Sequence, residues 1–185
     1  MGRALGYRSL GTVEFLLDNQ SEFHFIEINP RIQVEHPVTE LVTGLDLVKL
    51  QLRLAAGRPL RLEQSDVVLN GAAIEARVLA EDPDDSFMPT TGEITYLKEP
   101  AGPGIRVDSA LYQGMRVTTD YDSLLAKVIA WGETRAVSIL RLRRALREFQ
   151  IGGVVTDVEF LIEVLESLPF LAGSVDTTYL DTFSP

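Results

Sequence analysis

The sequence predicts an α+β fold in which a β-hairpin and two helices precede a part made of short strands and helices. Residues 11–18 and 23–29 are predicted to form two strands separated by a turn. After Leu60, the candidate strands become short and glycine and proline turns become frequent. From Thr134 onward, apolar residues recur at helical spacing.

The composition is that of an ordinary globular protein, with 45% hydrophobic and 24% charged residues among 185. No apolar run approaches the ~18 residues of a membrane-spanning helix, so we expect no membrane insertion. The net charge of -10 argues against non-specific binding to nucleic acid or to anionic membranes. The absence of cysteine excludes disulfides and thiolate zinc sites and fits the cytoplasmic location that we expect.

The candidate elements can be bounded from breaker and capping residues. A helix is expected to start at His36-Pro37 and to end at Gly44, and Asp46 can cap a second helix that runs to Ala56. The strands expected beyond residue 70 cover residues 71–80, 92–98, 104–108 and 124–131. Two further helices are predicted at 135–149, capped by Thr134, and at 157–165, where Thr156 and Glu159 have the spacing of a capping box.

The first two strands are separated by four residues, 19–22, which predicts a hairpin and fixes its register. Taken at face value, this loop pairs Asp18 with Phe23, Leu16 with Phe25, and Glu14 with Glu27. Two carboxylates that lie directly opposite repel each other unless a cation lies between them, and hard oxygen ligands favour Mg²⁺ or Mn²⁺. The alternative is a slip of the register that leaves one carboxylate in water.

Residues 27–36 carry a polar group at every second position. In an extended chain these groups share one face, opposite the intervening apolar residues. Pro30 cannot donate to a strand ladder and marks the end of the strand. We therefore expect a strand to about Asn29, a bend, and an irregular segment that curls back over the same site.

The chain resembles the biotin carboxylase family, whose members have the ATP-grasp fold. The resemblance is carried by TVEFL at 12–16 and by FIEINPRIQVEHPVTE at 25–40. It continues through the segments 43–48, 55–57, 74–77 with 81–83, 121–127 and 172–173. In this family, ATP phosphorylates bicarbonate to carboxyphosphate, and the carbon dioxide that follows carboxylates N1 of biotin.

The resemblance implies two parts, the C-terminal portion of an ATP-grasp domain at 1–62 and the biotin carboxylase C-terminal domain at 63–185, which in this family consists of antiparallel strands and helices. It also implies that the chain is a fragment, because family members carry ahead of it an N-terminal domain and most of the ATP-grasp domain. That preceding part holds the ATP phosphates. We therefore expect this chain alone not to turn over ATP.

The resemblance gives roles to the hairpin. Glu14 and Glu27 match residues that ligate the divalent metal on the ATP phosphates, and Asn29 supports them. Glu27 also belongs to the nucleotide site, and Leu16 matches a residue beside the adenine. The implied cofactors are ATP and Mg²⁺ or Mn²⁺, with biotin as a substrate on its carrier protein.

The resemblance also assigns the substrate site and the catalytic residues. Arg31 matches the arginine that holds bicarbonate, and Gln33 and the backbone of Val34 match its other contacts. Glu35 matches the general base for bicarbonate, and Arg77 matches the arginine that faces the biotin oxygen. Arg31, Glu35 and Arg77 are thus the expected catalytic residues.

The implied partners are the biotin carboxyl carrier protein and the carboxyltransferase. The acceptor is left open between acyl-CoA and 2-oxo acids; the loops at 89–92 and 100–104 favour an acyl-CoA carboxylase of fatty acid biosynthesis. Some family members dimerise through the C-terminal domain, at a position where Arg106 is kept and Pro103 replaces an aromatic residue.

Two other functions are compatible with the sequence. One is another ATP-grasp ligase, of the carbamoyl-phosphate or purine-pathway type, since these share the pattern of metal-binding glutamates and asparagine. The other is a non-catalytic interaction or dimerisation module.

Overall fold

The computed structural model describes residue 2 and residues 4–183. The chain forms two compact units, Met1–Asn70 and Gly71–Pro185. None of the described helices is both long and apolar enough to cross a membrane.

The first unit begins with an antiparallel hairpin of β1, Thr12–Leu17, and β2, Phe23–Asn29. Helices α1, His36–Thr43, and α2, Leu47–Ala55, follow, with a short 3₁₀ turn at Gln64–Asp66. The hairpin, the two helices and the irregular segment between hairpin and α1 all lie where the sequence predicts them.

Local chemistry explains where these helices begin and end. Pro37 lies in the first turn of α1, where its missing N–H has no intrahelical partner to lose. Gly44 ends α1 in the left-handed conformation, at φ 72°, and its N–H binds the Glu40 carbonyl. Asp46 caps α2, because its carboxylate accepts a hydrogen bond of 2.7 Å from the backbone N–H of Lys49.

The second unit is built from short antiparallel strands and four helices among the described residues. The strands are β3 Ala72–Leu79, β4 Glu81–Asp82, β5 Met88–Pro89, β6 Gly92–Glu93, β7 Tyr96–Lys98, β8 Ile105–Ser109, β9 Arg116–Val117, β10 Leu124–Gly132 and β11 Gln150–Gly152. The helices are α3 Arg135–Glu148, α4 Val158–Glu166, α5 Leu168–Ala172 and α6 Tyr179–Thr182, with a 3₁₀ turn at Pro83–Asp85.

The central sheet has the order β3-β10-β8, and the remaining strands form the pairs β11-β7, β4-β5 and β6-β9. All pairings are antiparallel. The predicted α+β class is confirmed.

The hydrophobic core lies in the second unit. Helix α3 packs on the central sheet, where Val78 and Val128 of the strands meet Leu142 and Leu146 of the helix. All four are at most 1% exposed. Burying such side chains contributes roughly 1.5–3 kcal/mol each. Among the described residues, Pro37 is the fully buried side chain of the first unit, whereas the clustered core side chains lie between Ala76 and Leu165.

The structure corrects several expectations in this unit. The run 92–98 forms two strands with different partners, β6 and β7, rather than one. Five elements were not expected: strands β4, β5, β9 and β11 and helix α5. The capping box of Thr156 is wrong, because α4 begins after Asp157, whose side chain instead accepts a 2.8 Å hydrogen bond from the backbone N–H of Leu79.

Candidate functional site

The hairpin has one polar and one apolar face. Strand alternation and the observed register place Glu14, Glu27 and Asn29 together on the polar face. The apolar face carries three cross-strand pairs: Val13 with Ile28, Phe15 with Phe25, and Leu17 with Phe23. The two-faced ribbon predicted from the alternation is therefore confirmed.

The predicted opposition of Glu14 and Glu27 is confirmed, but the register near the turn is wrong. A bulge follows Glu14, so that Leu16 pairs with His24, and not with Phe25. The extra residue of the bulge is Ile26, which has no partner in the register. The pairing of Asp18 with Phe23 is also wrong, since Leu17 is the partner of Phe23.

A side-chain amide bridges the two carboxylates. The Nδ2 atom of Asn29 lies 2.7 Å from Oε1 of Glu14 and 2.8 Å from Oε1 of Glu27. Oε1 of Glu14 and Oε1 of Glu27 therefore lie close together, on either side of this nitrogen. Nε2 of Gln33 also donates to Oε1 of Glu14. Four polar side chains thus converge on one spot of the hairpin.

This donor set fits a hard divalent cation. Two carboxylates and an amide oxygen are ligands that Mg²⁺ and Mn²⁺ accept, whereas softer metals prefer nitrogen or sulfur. The amide nitrogen of Asn29 occupies the position between the carboxylates that a cation would take. Because an amide carries both donors and an acceptor, turning it over presents its oxygen to the metal.

The segment after β2 returns to this site, as predicted. The backbone N–H of Arg31 binds the carbonyl of Asn29 at 2.8 Å, which closes a tight bend around Pro30. The irregular segment then brings Gln33 back to Glu14, 19 positions earlier in the chain. The ring of His36 holds this segment, since Nδ1 lies 2.9 Å from the Gln33 carbonyl.

The residues expected to act on bicarbonate follow on this segment. Arg31 is exposed, and its Nη1 donates to the carbonyl of its neighbour Ile32 at 3.2 Å. Val34 is half-buried. Glu35 is exposed and stands at the N-terminal cap of α1, where the helix dipole favours a negative charge. Both ionic side chains can therefore be reached from solvent.

Leu16 shares the polar face and is 48% exposed, so it is not a core residue. At the turn, Asp18, Glu22 and His24 form another group with metal-ligating atoms within 4.8 Å of one another. All three are exposed. Asp18 and His24 bond to each other at 2.8 Å, and Asp18 also accepts from the Glu22 N–H. The hydrogen bond from His24 lowers the pKa of Asp18 most, followed by that from Glu22.

Arg77 lies on β3 of the second unit. Its side chain is exposed, between the buried residues Ala76 and Val78 that face α3. The register places Arg77 directly opposite Lys127, and Lys127 opposite Asp108 on β8. A row of charged residues therefore crosses the central sheet on the face away from α3.

This row is held by ion pairs. Nζ of Lys127 lies 3.3 Å from Oδ2 of Asp108. Arg106 donates two hydrogen bonds to the same carboxylate, from Nε to Oδ1 at 2.7 Å and from Nη2 to Oδ2 at 2.9 Å. Burial alone would raise the pKa of Asp108, but the hydrogen bonds and charges of Arg106 and Lys127 hold it below its usual value. The sequence pattern did not single out Lys127 or Asp108, although strand alternation puts both on the face of Arg77.

The structure brings together Glu14, Glu27, Asn29 and Gln33, which the sequence had divided between a metal site and a bicarbonate site. Those roles themselves stay predictions. The class of the protein is that of the ATP-grasp fold. Residues 1–63 match the carbamoyl-phosphate synthase L chain, ATP binding domain.

The chain belongs to the biotin carboxylase family, because residues 75–182 match the biotin carboxylase C-terminal domain. It is 49% identical over 182 residues to biotin carboxylase 1 of Bacillus subtilis, with 98% of this chain and 40% of that protein covered. It is 48% identical over 177 residues to the biotin carboxylase of Haemophilus influenzae, covering 96% of this chain and 39% of that protein.

A solved structure is similar throughout. The biotin carboxylase domain dimer of the 2-oxoglutarate carboxylase from Hydrogenobacter thermophilus, in complex with MgADP, ADP and bicarbonate, has a TM-score of 0.95 and 46% identity. The match covers 97% of this chain and 40% of that one. The chain thus spans about two fifths of the length of the relatives that it matches.

Proposed function

We propose that this chain supplies the metal, bicarbonate and biotin residues of a biotin carboxylase, which carboxylates biotin at the expense of ATP. The observation that carries the proposal is the convergence of Glu14, Glu27 and Asn29 on one face of the hairpin. A relative with bound MgADP and bicarbonate supports the choice of ligands. The domain division at 1–62 and 63–185 belongs to the same proposal.

In this mechanism, Glu14, Glu27 and Asn29 would hold Mg²⁺ or Mn²⁺, with Glu27 and Leu16 also facing the nucleotide. The bound cation would supply positive charge that stabilises the phosphate oxygens of ATP. Gln33 hydrogen-bonds Glu14 and thereby fixes the orientation of that carboxylate.

Arg31, Gln33 and Val34 bind bicarbonate. The planar guanidinium of Arg31 matches a planar oxyanion with two parallel hydrogen bonds. Glu35 takes the bicarbonate proton, so that the bicarbonate oxygen can attack the terminal phosphorus of ATP while ADP leaves with the electrons of the broken P–O bond.

Arg77 faces the ureido oxygen of biotin. When the N1 proton leaves, negative charge develops on that oxygen, and a fixed positive charge stabilises it. The neighbouring Lys127 lies opposite Arg77, and its ion pair with Asp108 holds its ammonium group in place.

A single-chain hybrid tests the proposal. The part of the Bacillus subtilis relative that precedes the match is joined to residue 1 of this chain, and ADP formation is measured with bicarbonate and biotin. Glu27→Gln and Glu35→Gln are expected to lower kcat at least about 100-fold, as for loss of a metal ligand or a general base. Glu22→Gln, an exposed carboxylate at the hairpin turn, is the control and is expected to retain activity.

Full activity of Glu27→Gln and Glu35→Gln would overturn the proposal. The chain without the preceding part is expected to form no ADP, because a divided active site loses the positioning of its reactants.

The match of residues 1–63 to an ATP-binding domain of carbamoyl-phosphate synthase favours one other candidate, an ATP-grasp ligase that acts on bicarbonate and ammonia. ADP formation that depends on ammonia rather than on biotin would select it. Arg77 separates the two, since only the biotin reaction uses it.

We also propose that the second unit forms a homodimer, which the dimeric biotin carboxylase domain from Hydrogenobacter supports. Sedimentation of the chain, compared with Arg106→Glu, tests this. Binding of the carrier protein and the carboxyltransferase, the acyl-CoA acceptor of fatty acid biosynthesis and the cytoplasmic location stay predictions.

A further inference from the structure

The central sheet carries a packed layer of charged side chains on the face away from α3. Ile129 of β10 belongs to this face by strand alternation, and it is fully buried although it lies outside the core that α3 covers. Its cross-strand partners are charged residues, Glu75 on β3 and Arg106 on β8. Both carboxylate oxygens of Glu75 are buried as well. The charged side chains are therefore close-packed, and each one limits the positions that its neighbours can take.

Two cations of this layer are direct cross-strand partners. Lys127 lies opposite Arg77 in the register, and like charges in that arrangement repel each other. The two side chains differ in position, because that of Lys127 is only 12% exposed whereas Arg77 is exposed. Lys127 turns to the strand on its other side, where its Nζ lies 3.3 Å from Oδ2 of Asp108. The lysine thus holds the inner position on the sheet, and the arginine holds the outer one.

Asp108 is the carboxylate that Arg77 would meet if the side chain of Lys127 were absent. Arg77 on β3 and Asp108 on β8 are the two cross-strand partners of Lys127, so all three lie in one row. Because neighbouring strands are about 4.8 Å apart, the backbones of β3 and β8 are roughly 10 Å apart. The long stem of an arginine and the shorter one of an aspartate together span this distance when a small residue lies between them.

The carboxylate of Asp108 has room for such a bond. Arg106 donates one hydrogen bond to each of its two oxygens. An ionised carboxylate accepts about four hydrogen bonds, so the pair with Arg106 leaves sites for a second cation. In the structure this second cation is Lys127.

We propose that Lys127 is a positioning residue, which occupies Asp108 and so prevents this carboxylate from binding Arg77. The guanidinium of Arg77 then keeps its exposed position, where it can meet an anionic oxygen of the substrate. An Arg77 side chain bound to Asp108 would have its charge neutralised and its donors directed along the sheet. The inference rests on the proposed function, in which Arg77 faces the oxygen of biotin.

Chemical modification of this chain tests the position of Arg77 without any need for catalysis. Phenylglyoxal reacts with accessible guanidinium groups, and mass spectrometry measures the rate at Arg77 relative to that at Arg58, an exposed arginine of the first unit. We expect Lys127→Ala to slow the reaction of Arg77 at least about fivefold, because Asp108 then binds the guanidinium. The double variant Lys127→Ala/Asp108→Asn removes the competing carboxylate, and we expect it to restore the wild-type rate.

The single-chain hybrid shows whether this position matters for the reaction. We expect Lys127→Ala to lower kcat/KM for biotin at least about tenfold and to leave KM for ATP unchanged. The double variant is expected to recover most of this loss, whereas a purely structural role of Lys127 predicts that the second substitution adds to the damage. The matched control is Lys98→Ala on β7, a lysine outside the central sheet, which is expected to change neither quantity.

Circular dichroism checks that each variant is folded. Lys127→Met keeps most of the side-chain volume and makes the same test where the alanine variant does not fold. Unchanged modification of Arg77 in the Lys127 variants would overturn the proposal. A double variant that stays as slow as the single one would also overturn it, and so would a hybrid in which Lys127→Ala keeps full kcat/KM for biotin. If modification follows the expected pattern but the wild-type hybrid forms no ADP, the shielding of Arg77 is supported and the proposed function fails.

Discussion

Glu14 and Glu27 stand directly opposite each other in the hairpin, and a single amide nitrogen lies within hydrogen-bond distance of both carboxylates. Opposed like charges destabilise a strand pair. The amide of Asn29 reduces the repulsion but carries no net charge. We therefore expect a cation to be able to replace this neutral bridge.

The first prediction concerns metal binding by the chain itself. Free Mn²⁺, followed by its electron paramagnetic resonance signal, is expected to bind through Glu14 and Glu27. Glu27→Gln removes one charged ligand, and we expect at least a tenfold weaker affinity, about 1.4 kcal/mol. Glu22→Gln tests the exposed group at the turn; if it weakens binding more than Glu27→Gln, the metal lies at Asp18, Glu22 and His24 instead.

The second prediction uses Asn29→Asp, which replaces the bridging amide with a third carboxylate. Without metal, this variant loses the hydrogen bonds to Glu14 and Glu27, and the repulsion among the carboxylates rises. The free energy of opening the hairpin should therefore fall by about 1–3 kcal/mol, so that its backbone amides exchange with solvent faster. Added Mg²⁺ should reverse this effect, because a cation now has three charged ligands. Amide exchange rates of the variant that do not change when Mg²⁺ is added would contradict the assignment of this face as a cation site.

The third prediction concerns the buried carboxyl of Asp157. Burial chiefly, together with the charge of Glu81, raises its pKa from 3.8 to about 7, against the opposing effect of the hydrogen bond from the Leu79 N–H. Because folding raises the pKa of Asp157, the folded chain keeps the proton on this carboxyl up to a higher pH than the unfolded chain does. The resulting contribution to folding stability is fully present below pH 3.8 and is lost as the pH rises towards 7.

Asp157→Asn is therefore expected to be more stable than the wild type at pH 8, by about 3 kcal/mol, and by much less at pH 5. Urea unfolding followed by the fluorescence of Trp131, the only tryptophan, measures this in the second unit. Asp176→Asn is the control: hydrogen bonds from Thr178 lower the pKa of Asp176, so it is ionised at both pH values. Equal pH dependence of the wild type and Asp157→Asn would refute the prediction.

The fourth prediction tests the charged row beside Arg77. Asp108→Asn deprives Lys127, whose side chain is only 12% exposed, of this carboxylate, and should destabilise the second unit by about 2 kcal/mol. Folding lowers the pKa of Asp108, so this stabilisation is present above pH 3.8 and is lost as the pH falls through the folded value.

Glu148→Gln is the matched control for Asp108→Asn. It breaks the exposed pair with Arg144, 3.1 Å apart, and should cost less than about 0.5 kcal/mol. The free energy of unfolding is measured with urea for both variants. If both lose the same amount, the charged row contributes no more to stability than an exposed surface ion pair.

The sequence predicts the hairpin well because its turn, its alternation and its two glutamates all constrain the same register. Asp18 reinforces the turn by accepting from the N–H groups of Gln20 and Glu22. The bulge at Ile26 escapes prediction, since one extra residue in a strand leaves the apolar pattern readable in either register.

Contacts distant in sequence are the part that could not be predicted. Residues 30–35 follow no regular secondary structure, so the hydrogen bond from Gln33 to Glu14 could not be predicted from the sequence pattern. Thr156 has the spacing of a capping residue. The side chain of Asp157, however, accepts a hydrogen bond from the N–H of Leu79, 78 positions away, and a contact over that distance cannot be predicted from neighbouring residues. Helix α5 did have a signal, with Pro169 in its first turn and Gly173 as its left-handed end.

The most direct test of the proposed function is the transfer of labelled carbon from bicarbonate to biotin by the single-chain hybrid. We predict that ATP, Mg²⁺ and biotin are all required. We also predict that Arg77→Lys lowers the rate at least about 100-fold, because a point charge does not replace the planar fork. Labelled biotin formed at the wild-type rate by both Arg77→Lys and Glu27→Gln, or no label transfer by a folded hybrid, would contradict the proposed function.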